Sequence, residues 1–182
     1  PFDDRNRGFD SILDNPNFAG GGFSYWVRQG IPLTTTSLEL KGRNSIVPAL
    51  RSSKIEGQPN YVNPGLFLLG FGADFEVTPK VKVLFQANKI LFHRTEALQA
   101  LLFQDRVRND VGWDLSLGLR WRPLLIDNVI VSVGGATFIG GSGFRDIYQT
   151  QEFRFGPQGL EKVKNERNTT LYSGFLSVTL TY

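Results

Sequence analysis

Leu171-Tyr-Ser-Gly-Phe-Leu-Ser-Val-Thr-Leu-Thr-Tyr182 alternates through to its last residue. Counting back by twos from Tyr182 gives Leu180, Val178, Leu176, Gly174 and Tyr172, while the other phase gives Thr181, Thr179, Ser177, Phe175 and Ser173. Successive side chains of a strand point to opposite faces, so this is a strand with one apolar side and one small, mostly polar side. An apolar side closed by a terminal aromatic suits a wall between lipid and water better than a packed core.

The same pattern recurs upstream. In Asp110–Pro123, Val111, Trp113, Leu115, Leu117, Leu119 and Trp121 share one face, and Asp110, Gly112, Asp114, Ser116, Gly118, Arg120 and Arg122 share the other. Trp113 and Trp121 fall near the two ends of the apolar face, where interfacial aromatic girdles belong. Residues 65–77 place Phe67, Leu69, Phe71, Ala73, Phe75 and Val77 opposite Gly70, Gly72, Asp74 and Glu76. After the turn Thr78-Pro79-Lys80, residues 81–94 place Val81, Val83, Phe85 and Ala87 opposite Lys82, Gln86 and Asn88, with a slip of phase near Lys89-Ile90 that suggests a bulge or a change of environment near the strand end. Residues 129–139 form the next strand, with Val129, Val131, Val133, Thr137 and Ile139 on one face. Phe23–Leu33 alternates more weakly and is read as a further strand; residues 36–47 could hold another.

The connections are unequal. Thr78–Lys80 and Pro123–Asn128 are short, whereas 34–64, 95–109 and 140–168 are long and polar. Short turns on one side and long loops on the other are the habit of outer-membrane barrels, and a periplasmic C-terminus puts all three long loops outside. Loop 95–109 holds a helical period (Leu98, Leu101, Leu102, Asp105), which predicts a short helix over the rim. Residues 1–22 read as an irregular segment ending in Gly20-Gly21-Gly22, and residues 23–182 as the barrel segment.

Composition agrees. Twenty basic and 17 acidic residues leave a charge of +3, too balanced to argue for nucleic acid, and the absence of Cys excludes disulfides and thiolate metal sites within the segment. No stretch approaches the roughly 20 apolar residues of a membrane helix, which leaves a barrel open. Six alternating segments fall short of the eight strands at which single-chain bacterial barrels begin. Preceding strands or partner chains are therefore expected to close the ring, and the segment reads as the C-terminal part of a larger antiparallel, all-β transmembrane barrel.

The last strand, Tyr172 to Tyr182, resembles the C-terminal β-signal of bacterial outer-membrane proteins. Those more often end in Phe, so Tyr182 departs from the pattern. With the hairpins, the likeness covers about residues 65–182. It implies an outer-membrane location, contact with lipid and handling by the barrel-assembly machinery. Arg51–Gly65 and Gly141–Tyr148 are similar to the tails of large envelope proteins of environmental bacteria, some associated with multihaem electron transfer.

On this reading Arg28, Asp74, Glu76, Lys82, Gln86, Asn88, Asp114, Arg120 and Arg122 face the lumen. There charged rings would bias passing solutes, or would pair with one another and fill a small barrel. Trp113, Trp121, Tyr172 and Tyr182 are the membrane-interface aromatics. No catalytic, metal or cofactor residue is assigned. His93 lacks the neighbours of a Ser/His/Asp site, with Ser45 or Ser142 the only nucleophiles to consider. Asp105, Asp146, Glu152 and Glu161 lack calcium-loop spacing. Gly134-Gly135 and Gly140–Gly143 lack the sequel of a phosphate loop. Asn168-Thr169-Thr170 matches a glycosylation acceptor, incidental in a bacterial barrel. The expected function is a passive, porin-like conduit or a sheath or anchor for a larger envelope assembly. The alternatives are a soluble β-sandwich or lipocalin-like binding module, which would bury the same apolar faces, and an outer-membrane enzyme using His93.

Overall fold

The computed structural model describes residues 23–33, 39–41, 45–47, 64–124, 128–148, 151–156, 159–164 and 169–181. In chain order the elements are α1 (Tyr25–Arg28), β1 (Ile31–Pro32), β2 (Glu39–Lys41), β3 (Ser45–Val47), β4 (Leu66–Thr78), β5 (Val81–Phe92) and α2 (Glu96–Leu102). There follow β6 (Asp110–Trp121), β7 (Val129–Gly140), α3 (Ser142–Tyr148), β8 (Gln151–Gly156), β9 (Gly159–Lys164) and β10 (Thr170–Leu180).

The fold is mostly antiparallel β-sheet. Five long strands form one open meander in the order β10-β7-β6-β5-β4, and β1-β2-β3 and β8-β9 form separate small sheets. The two short turns lie at one end of the meander, and α2, α3 and the β8-β9 hairpin interrupt the long connections at the other. The helix expected in 95–109 is α2, whose Leu98 is fully buried.

Register carries the alternation across the sheet. Phe71 pairs with Ala87, Ala87 with Leu115, Leu115 with Thr137 and Thr137 with Tyr172, so one face collects the apolar phase of all five strands. That face is bare. Leu69 is 70 % exposed, Leu176 71 % and Tyr172 75 %. Every large apolar side chain exposed on the five strands projects from this side. Its one charged pair sits at the loop end, where Lys89 Nζ meets Asp110 at 2.6 Å and lies 5.2 Å from the Trp113 ring centroid.

The opposite face is covered at its loop end. There Trp26, Ile31, Leu33, Leu40, Ile90, Phe92, Leu98, Val107, Val111, Phe138, Phe144 and Ile147 form the core. Each such side chain, fully buried, contributes about 1.5–3 kcal/mol. The core therefore gathers α1, α2, α3 and the first small sheet onto the half of the sheet nearest the long connections.

Three expectations are corrected. Residues 23–33 are not a strand of the sheet: they are the single turn α1 followed by the two-residue β1, which pairs with β2. A cap made by a distant strand overrides their weak alternation, as described below. The bulge foreseen near Lys89-Ile90 lies on the facing strand. Ile90 pairs with Gly112 and Leu91 with Asp110, leaving Val111 as the extra residue on β6. Gly112 takes φ +144°, and a Cβ there would collide with the Ile139 carbonyl oxygen, so glycine is required. The segments 34–64 and 140–168 are also less irregular than loops, since they carry β2, β3, α3, β8 and β9. Residues 1–22 and Tyr182 lie outside the described residues.

Candidate functional site on the charged sheet face

Apart from Lys89 and Asp110, the charged side chains of the five long strands gather on the face opposite the bare apolar one, in rungs fixed by register. At the turn end, Glu76 pairs with Lys82, Lys82 with Arg120, Arg120 with Ser132 and Ser132 with Ser177. Lys82 Nζ reaches back to Asp74 at 2.9 Å. Arg120 is exposed, and Arg122 lies just past β6 with its N–H donating to the Lys80 carbonyl at 2.7 Å. A rung running from acid through two cations to hydroxyls gives a lateral field across this surface.

One rung deeper, Asp74, Leu84, Gly118, Gly134 and Phe175 are register neighbours. The Phe23 ring lies over Gly118, where a Cβ would stand 2.5 Å from it, and its centroid is 4.9 Å from that of Phe175. The Arg28 guanidinium caps the Phe175 ring at 4.4 Å. Arg28 thus reaches this face from α1 and not from a strand.

Next come Gln86 and Ser116, then Asn88 and Asp114. Asp114 is fully buried and caps α1. Its Oδ2 accepts from the Ser24 hydroxyl and from the Trp26 N–H (3.4 Å), and its Oδ1 from the Tyr25 N–H (3.1 Å). Ser24 is the N-cap itself, its Oγ accepting from the Val27 N–H at 3.1 Å. A carboxylate on the free N–H groups of a helix start is a favourable, charge-assisted arrangement. It fixes α1 against β6, and Trp26 then packs at a tilt on Phe138 with ring centroids 5.7 Å apart.

Of the residues expected to face a lumen, Asp74, Glu76, Lys82, Gln86, Asn88, Asp114 and Arg120 therefore share one face. Asn88 and Asp114 are buried on it and do not border an open passage. Of the expected interface aromatics, Trp113, Trp121 and Tyr172 project from the bare face. Sequence reasoning missed Phe23, Ser24, Gly118 and Phe175. A small polar residue just before Tyr25-Trp-Val was an available N-cap signal for Ser24.

The loop end is tied by separate contacts. Arg108 grips Asp146 through Nη2 (2.7 Å), Nε (2.8 Å) and its backbone N–H (3.0 Å). Burial pushes the Asp146 carboxyl up, but the Arg108 hydrogen bonds and charge outweigh it and hold the group below the usual carboxylate range. The Tyr148 hydroxyl donates to the Pro32 carbonyl at 2.7 Å, and burial, with Tyr25 nearby, raises its ionisation well above the ordinary phenol value. His93 is exposed, with its ring edge-on to Phe67 at 5.0 Å. Among the described residues no group of three or more His, Asp or Glu is placed to hold a metal ion, and no helix is long and apolar enough to cross a membrane. Glu152 and Glu161 fall on β8 and β9, whose side chains are outside the described set.

Comparison with known proteins finds no family model, no curated protein and no solved structure that matches this chain.

Proposed function

We propose that these strands are part of the wall of a β-barrel in the bacterial outer membrane, and that the barrel serves as a sheath or anchor for an envelope assembly. The observation that carries this is the sidedness of the sheet. Five neighbouring strands of 11–13 residues turn one continuous apolar face to the exterior and, apart from the Lys89–Asp110 pair at the loop end, their charges to the other side. A soluble sandwich needs the reverse: its apolar faces pack together at about 10 Å. Contiguous bare apolar surface of this extent marks a membrane or partner site. The dimensions fit as well. Twelve residues of β6 span roughly 40 Å along the strand, or roughly 28 Å across a bilayer at a tilt near 45°. Trp113 and Trp121, roughly 19 Å apart across the bilayer at that tilt, then lie toward the two interfaces with Leu117 midway.

The sheath or anchor role is supported by α1, which covers the charged face and is pinned there by Asp114. The rung Glu76–Lys82–Arg120, exposed at Glu76 and Arg120 and half-buried at Lys82, favours a second reading, a porin-like conduit narrowed at its loop end. Conductance of the assembled protein in a planar bilayer separates the two. A sheath gives no steady ion current from an intact, inserted barrel; a conduit gives stable open levels.

A further inference from the structure

We infer that the turn end of the charged face, along β6, β7 and β10, binds a small oxyanion, a phosphate or a carboxylate, with Arg120 at the centre of the site. The site lies on the face that the outer-membrane reading turns to the barrel interior. It deepens that reading by naming the solute chemistry the interior takes.

Acids and cations are sorted by strand here. The described carboxylates at this end, Asp74 and Glu76, both stand on β4. Lys82 on β5 lies between them and β6, and its Nζ is already engaged by Asp74 at 2.9 Å. Arg120 on β6 is left over. It is exposed, and its guanidinium has no ion-pair or hydrogen-bond partner among the described residues. Next on its rung come Ser132 on β7, half-buried, and Ser177 on β10, exposed. Their hydroxyls are likewise without a partner among the described residues. From Gly118 to the turn end, the strands β6, β7 and β10 carry no carboxylate.

A different element converges on the same place. Phe175 precedes Ser177 by two residues on the same face of β10, about 7 Å along the strand. The Arg28 guanidinium, delivered by α1, lies 4.4 Å from the Phe175 ring centroid. Phe23 packs beside Phe175 and over Gly118, which makes an apolar wall on the loop side. The hydroxyls of Ser132 and Ser177 are thus flanked by Arg120 across the strands and by the aromatic wall with Arg28 along them.

This set of groups matches an oxyanion. A guanidinium presents a planar fork of N–H donors that fits two oxygens of a carboxylate or phosphate. Serine hydroxyls donate to the oxygens that remain. Neighbouring strands are about 4.8 Å apart, so an oxyanion seated over Ser132 has Arg120 and Ser177 within reach on either side. Lys82 and Arg28 add attraction from a distance. Chloride can use the charge but not the fork.

The test uses the detergent-solubilised assembled protein at low ionic strength, where charge is least screened. It is titrated calorimetrically with inorganic phosphate, with acetate and with chloride. Saturable binding of phosphate or acetate, tighter than that of chloride, is the expected result. The tighter of the two oxyanions tells whether the site takes phosphorylated or carboxylated solutes. Arg120→Gln should weaken binding by about tenfold or more. Arg120→Lys keeps the charge and loses the fork, so it should fall between the parent and Arg120→Gln. Ser132→Ala combined with Ser177→Ala leaves the charge unchanged and should lower the preference over chloride by about fivefold. Should Arg120→Gln alter the strand content seen by circular dichroism, the serine pair decides alone. No saturable binding, binding unchanged in Arg120→Gln, or equal binding of chloride overturns the inference. These titrations need no lipid, so their failure leaves the membrane reading standing. Unimpaired insertion of Leu117→Arg into vesicles would remove that reading and leave the site.

Discussion

At the scale of single residues, the contact that organises the covered face is between Asp114 and the start of α1. Ser24→Ala removes the hydroxyl shared by Asp114 and the Val27 N–H. It should lower stability by about 0.5–2 kcal/mol in urea unfolding of the detergent-solubilised protein; an unchanged midpoint contradicts the capping role. Gly118→Leu places a side chain where the Phe23 ring lies. Overpacking of this kind costs about 1–3 kcal/mol, and here it should dislodge Phe23 from Phe175. Urea unfolding of the detergent-solubilised variant should show a lower midpoint than the parent, and an unchanged midpoint contradicts the packing of Phe23 over Gly118. Neither residue stood out in the sequence. Ser24 and Asp114 are 90 positions apart, and no local pattern links a strand carboxylate to a helix start that distant. Gly118 read only as a small residue in a strand, because its reason is the ring that lies over it.

At the scale of elements, α1 is held by burial as much as by its cap. Trp26 is fully buried against Phe138, and Trp26→Ala should cost about 3–5 kcal/mol, read as a lower unfolding midpoint with unchanged strand content by circular dichroism. The loop end carries a pH-dependent tie. The Asp146 carboxyl is held low in the folded protein, so its contribution is complete above the ordinary carboxylate pKa of roughly 3.9 and disappears as pH falls through the lower folded value. Arg108 is half exposed, which limits the tie to about 1 kcal/mol or less. Arg108→Ala should flatten that part of the stability–pH profile, and a profile identical to the parent's contradicts the assignment. The four strands from residue 66 to residue 140 and the last strand were legible because a period of two survives in each of them. Residues 23–33 show the limit of that signal. Phe23, Tyr25, Val27 and Ile31 alternate by chance, and a four-residue helix is too short to impose a period of its own. The phase slip near Lys89 was real, but the additional residue sat on the neighbouring strand, because pairing and not sequence determines which strand carries a bulge.

At the scale of the whole molecule, sidedness was legible and coverage was not. Alternation told which residues share a face, and register bears that out along the five strands except at the start of β6, where the bulge puts Asp110 on the bare face beside Lys89 and Val111 in the core, the reverse of the faces that alternation gave them. It did not reveal that one face is half covered by a core assembled from the long connections, because Leu98, Val107, Phe144 and Ile147 are scattered among polar neighbours and meet only in space. The central claim is that the bare face meets acyl chains. The most direct measurement is the folding free energy of the assembled protein into lipid vesicles with Leu117→Arg, at the midpoint between Trp113 and Trp121. Leu117 is 57 % exposed, so in a water-soluble fold the change should be nearly neutral, within about 0.5 kcal/mol. At the middle of a bilayer the same change should cost about 2–4 kcal/mol and reduce insertion. A loss of that size is the result predicted here, and a neutral or solubilising substitution would contradict it.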